Sequence, residues 1–121
     1  MDEQRRGRSS RSLAISNAAV RVLSEYTGRG PTEAKTTIGD DLVTILFGST
    51  LTKGERKLVE AGQEERVLDL RHHYQLLMRD DLVRAVEENV ERKVLAFMSS
   101  NHIDPDLAIE VFVLEPREVT A

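Results

Sequence analysis

Cysteine and tryptophan are both missing from this 121-residue chain. Without a thiol there is no disulfide, no thiolate metal centre and no cysteine nucleophile, and the chain is compatible with a reducing cytosol. Aromatic residues make up only 4% of the sequence, so any core must be mainly aliphatic. Long apolar runs are missing as well. The opening MDEQRRGRSSRS is charged where a signal peptide carries an apolar stretch of roughly 7–15 residues, and nothing approaches the ~18 apolar residues of a membrane-crossing helix. The expectation is a cytoplasmic protein with no transmembrane segment.

Enough remains to fold. The length suits one domain with one core, and 40% of the residues are hydrophobic. Charge is unevenly placed. Arg5, Arg6, Arg8 and Arg11 outnumber Asp2 and Glu3, whereas the whole chain carries −4, so the remainder is acidic. An acidic domain argues against nucleic-acid binding, which favours a basic face. Residues 1–11 read as a flexible basic arm, 12–116 as one domain and 117–121 as a tail.

From Ser12 the apolar residues Ile15, Ala19, Val22, Leu23 and Tyr26 fall on one helical face, which predicts a helix over 12–27. Gly28 suits the left-handed position after a helix, and Pro31 bars continuation. Then the period changes to two: KTTIG and LVTILFG predict a hairpin with strands near 35–39 and 41–47. Thr52 and Glu55 match a capping box for a helix over 53–61, which Gly62 can end. A long stripe through Val67, Leu70, Tyr74, Leu77, Met78, Leu82, Ala85, Val86 and Val90 predicts a helix from 64 to 90, projecting or kinked near Asp80 and Asp81. KVLAFMS and LAIEVFVLE form a last hairpin around SNHIDPD. The fold class is therefore α+β, ordered α-β-β-α-α-β-β, with helices packed on a four-stranded, mainly antiparallel sheet.

The strands are apolar at consecutive positions, whereas a sheet covered on one side alternates with polar residues. Either helices cover both faces or a second copy of the chain covers one. With three helices available, a homodimer is the favoured reading.

Chemistry is sparser. Asp69 and His73 are spaced for one helix face, but adjacent histidines such as His72 and His73 diverge by about 100° and no HExxH occurs, so no metal site is expected. Asp40 and Asp41 read as turn residues and Glu55 as a cap rather than as acid–base pairs, and no serine has nucleophile-elbow context. No catalytic residue and no cofactor is expected. The corner Gly28-Arg29-Gly30-Pro31-Thr32 offers backbone N–H groups, a guanidinium fork and a hydroxyl that suit an anion or an acidic partner, with His102 and Asp104 of the last loop as further binding residues. The competing reading of GRGP is a structural corner.

The stretches YTGRGPT, TTIGDDL, LTKGE, LDLRHHYQLLMRDDLVRAVEENVERKVLAFMS and NHIDPDLAIEVFVLEP resemble, in that order, the MpsC family, a small bacterial family described as a subunit of a sodium-translocating, membrane-potential-generating system. The resemblance runs from about Ala14 to Pro116 and leaves the arginine-rich start outside. It implies a non-enzymatic accessory or regulatory protein, peripheral to the membrane through a partner, that serves ion or bicarbonate transport subunits. It brings no catalytic residues. The alternative from another class is an anion, nucleotide or nucleic-acid binding module that uses the GRGP corner and the basic arm.

Overall fold

The computed structural model describes residues 2–28 and 33–117. Among them the order is α1 (Asp2–Thr27), β1 (Glu33–Ile38), β2 (Leu42–Gly48), α2 (Lys53–Glu60), α3 (Glu64–Val90), β3 (Val94–His102) and β4 (Leu107–Leu114). This is the expected α+β order. The four strands form one wholly antiparallel sheet in the order β1-β2-β4-β3, so two sequence-local hairpins join through the β2–β4 pairing.

Register explains the core. Val43, Ile45 and Phe47 of β2 share a face with Ala108, Glu110, Phe112 and Leu114 of β4, because Val43 pairs with Phe112, Ile45 with Glu110 and Phe47 with Ala108. On that face lie Ile15, Ala19 and Leu23 of α1 and Met78, Leu82 and Val86 of α3. The helix α1 packs over β1, α3 over β3, and the two helices pack against each other. Phe97 and Phe112 meet with ring centroids 5.2 Å apart and planes at 55°, a tilted packing that aromatic quadrupoles favour. The side-chain hydroxyls of Ser16 and Thr36 bond across α1 and β1 at 2.7 Å, which satisfies two polar groups in a buried place.

Local chemistry sets the ends. Thr52 and Glu55 do form the capping box of α2, with Thr52 accepting from the Glu55 amide at 3.1 Å and Glu55 accepting from the Thr52 amide at 2.8 Å. Gly28 (φ +72°) and Gly62 (φ +78°) take the left-handed conformation that the sequence assigned them. At the opposite end of the sheet Arg92 clamps three segments, bonding the Asp40 and Glu115 carbonyls and the Asp41 carboxylate.

Two expectations need correction. The helix α1 starts at Asp2, not near 12. Residues 2–12 hold no apolar side chain and so no stripe, and residues 8–11 are exposed along with Leu13. The helix α3 runs through Asp80 and Asp81 with the bounds expected of it, Glu64–Val90. Its buried stripe is shifted: Leu70 and Leu77 face outward, whereas Val67, Arg71, Gln75, Met78, Leu82 and Val86 face inward. Apolar spacing alone missed the two polar members, which are buried because each is hydrogen-bonded there, Arg71 to Glu55 and Gln75 to Glu110 and Asn101.

A Cβ on Gly28 would meet no atom within 4 Å, so its replacement tests backbone conformation alone. Gly28→Val is expected to lower stability by about 1 kcal/mol or more, while Gly54→Ala, in the open first turn of α2, is expected to raise it by about 0.5 kcal/mol. Thermal melts of the two variants check the opposite signs.

Candidate interaction face and the polar seam behind it

The pairing places His102 at the same end of the sheet as Glu33, the first described residue after the expected GRGPT segment. Glu33 pairs with Gly48, Gly48 with Leu107 and Leu107 with His102, one row across all four strands. Gly28 closes α1, its amide bonding the Ser24 carbonyl at 2.9 Å, and Glu33 opens β1. Arg29, Gly30, Pro31 and Thr32 lie outside the described residues. The row starts at one edge strand and ends at the other, roughly 14 Å away for strands about 4.8 Å apart. His102 and Asp104 share a turn but not a hollow. His102, its Nδ1 2.7 Å from the Pro105 carbonyl oxygen, lines an open hollow of about 280 Å³ with Leu46, Leu107 and Ile109. Asp104 lines another, of about 320 Å³, with Arg56, Ser49 and Ile103. Elsewhere His73 and Asp69 lie 3.7 Å apart on the exposed side of α3.

Behind this end runs a polar seam that sequence reasoning missed. The Asp106 carboxylate accepts from the Thr50 amide and hydroxyl and from the Leu51 amide, at 3.0–3.1 Å, and so pins the β2–α2 connection to the last hairpin. Arg71, 4% exposed, grips Glu55 with two donors at 2.6 and 2.7 Å and also donates to the Thr50 carbonyl. Farther along, Gln75 donates to Glu110 at 3.2 Å and accepts from Asn101 at 2.9 Å, while the Ser99 hydroxyl donates to the other Glu110 oxygen. The signals were present: a lone Glu in LAIEVFVL at an inward register position, and Arg71 and Gln75 at i+4 and i+8 from Val67. Between them lies a cavity of about 10 Å³, lined by Arg71, Gln75, Asn101 and Glu110, with room for about one water.

The other face of the sheet is apolar and open. Leu42, Thr44 and Leu46 of β2, Ile109, Val111 and Val113 of β4, and Ala96 and Met98 of β3 alternate with the core residues and therefore point away from the helices. Leu42, Leu46 and Met98 are 44%, 40% and 54% exposed. Among the described residues no element packs over them, so the sequence's consecutive apolar positions correspond to one covered face and one bare one.

Residues 8–116 match the family described as the Na+-translocating membrane potential-generating system, MpsC. The chain belongs to the MpsC family. The match begins at residue 8, so it takes in Arg8 and Arg11, which the sequence reading had left outside. No curated protein and no solved structure matches the chain significantly. In this MpsC-family chain the open face comes from β2, β3 and β4, the seam from α2, α3 and the strand ends, and all of these fall within the matched span.

Glu110 is the chemically unusual member of the seam. Burial raises its pKa from 4.5 to about 7, and the hydrogen bonds from Ser99 and Gln75 offset that only in part. The folded state thus holds a proton that the unfolded state gives up from about pH 4.5. Stability should fall as pH rises from 4.5 to 7, by roughly 3 kcal/mol in total, and then level off. In Glu110→Gln that component of the slope disappears, which denaturant titrations at pH 4.5, 6 and 8 would read as a wild-type-minus-variant difference. A difference that does not change with pH would refute the assignment.

Proposed function

We propose that this chain is a non-enzymatic accessory or regulatory protein of a membrane ion-transport assembly that generates a membrane potential, working on the cytoplasmic side as a homodimer. The family match over residues 8–116 carries the reading, because it takes in both hairpins, α2, α3 and most of α1. No helix among the described residues is long and apolar enough to cross a membrane, so the surface to consider for joining such an assembly is a docking surface. The titratable groups of the seam support a role without chemistry. Glu55, Arg71, Asp106 and Glu110 are each engaged in internal hydrogen bonds, and Arg71 and Glu110 line only a water-sized cavity. The bare sheet face supports self-association, since apolar surface of this kind is stabilised by cover.

Deletion of the gene in its host should lower the sodium-dependent membrane potential, read with a potential-sensitive dye, and the wild-type chain should restore it. Crosslinking in intact cells should recover membrane transport subunits on the tagged chain. An unchanged potential together with no transport subunit among the crosslinked proteins would overturn the proposal.

A further inference from the structure

We propose that the open face of the sheet, centred on Thr44, Leu46, Ile109 and Val111, is the surface on which a second copy of this chain packs, giving a face-to-face sandwich of two four-stranded sheets. This rests on the self-association part of the reading above and on nothing in the transport role.

Charge comes first. The chain carries −4, so two copies repel wherever their general surfaces approach. The outward positions of β2, β3 and β4 hold no Asp, Glu, Lys or Arg, with His102 at the end of β3; the charged residues, Glu33 and Lys35, are at the rim on β1. Absence of charge at the centre with charge at the rim is the arrangement of protein interfaces. An anionic lipid surface fits poorly, because it calls for clusters of about 4–8 lysines or arginines and this face offers Lys35 alone.

Size comes next. Four strands about 4.8 Å apart and about seven residues at about 3.3 Å each give a footprint of roughly 450 Å². Two footprints come to roughly 900 Å² before side-chain relief is added, close to the ~1,000 Å² that a specific interface needs. Shape agrees as well. Sheets pack about 10 Å apart when aliphatic side chains interdigitate, and the hollow of about 280 Å³ beside Leu46 and Ile109 takes a protruding chain such as an opposing Leu or Met.

The helical side is the competing surface, since Leu76 and Leu77 of α3 are 52% and 63% exposed. Its apolar residues are interrupted by His73, Arg79 and Asp80, all exposed. A sheet face has continuity there that the helix lacks.

Light scattering and sedimentation of the wild-type chain at tens of micromolar should report twice 13.6 kDa. Val111→Lys and Leu46→Lys should keep the wild-type circular dichroism and melt cooperatively, since neither touches the core, yet weaken dimerisation at least about a hundredfold by burying an unpaired charge. Leu77→Lys should leave it unchanged. A monomeric wild type would end the self-association reading as a whole. A wild-type dimer that survives both sheet-face variants, or that Leu77→Lys dissociates, would overturn this interface while leaving self-association standing.

Discussion

Every strand of this sheet has two sides, and helices α1 and α3 lie over the same one. Val43, Ile45, Phe47 and Phe112 are sealed against Ile15, Leu23, Met78 and Leu82, whereas Leu46 and Met98 stand 40% and 54% exposed on the other side. A strand's side-chain period is two, so the register that buries one set also presents the other. A one-residue slip in the β2–β4 pairing would bring Ile109 and Val111 under the helices and expel Phe112. Fold and bare face are therefore fixed by the same pairing.

The inner side is not purely aliphatic, and its polar residues act as locks. Arg71 reaches Glu55 and the Thr50 carbonyl from α3, and Asp106 reaches Thr50 and Leu51 from the start of β4. These bonds join segments far apart in sequence, so they hold α2 and the β2–α2 connection against the sheet and α3. A buried ion pair adds little net stability over an aliphatic pair, but losing one partner costs about 3–5 kcal/mol, which penalises any arrangement that separates them. Glu110 differs in forming no salt bridge among the described residues. Its proton takes the place of a partner, and that couples this part of the core to pH near neutrality.

Much of the architecture was legible in the sequence because it is written in local patterns. Period two in LVTILFG, the Thr52–Glu55 box and Gly62 give the first hairpin and the short helix, and the apolar stripe from Val67 to Val90 gives the long one. Apolar residues at consecutive strand positions also announced a face in need of cover. What local pattern cannot give is pairing between hairpins. The β2–β4 contact brings Gly48 beside Leu107, and only then do His102, Asp104 and the residues bracketing the GRGP corner arrive at one sheet end. Arg71 and Glu110 were illegible for a related reason: an inward charged residue is tolerated only if a partner waits there, and the partners lie 16 residues away on α2 and 35 residues away on α3. The start of α1 was missed because residues 2–12 hold no apolar side chain and so show no stripe to read.

Absence of cysteine allows an unambiguous trial of the central claim, that the face pointing away from the helices is where two copies meet. A single Thr44→Cys introduced at the middle of that face should be joined to its counterpart by a short bis-maleimide, whose reach suits sheets about 10 Å apart as a direct disulfide does not, with Leu77→Cys on the helical side as the reference. Efficient crosslinking at residue 44 and little at 77 is the result expected of a sheet-to-sheet sandwich; the reverse pattern, or no crosslinking at 44 in a chain that sediments as a dimer, would contradict it.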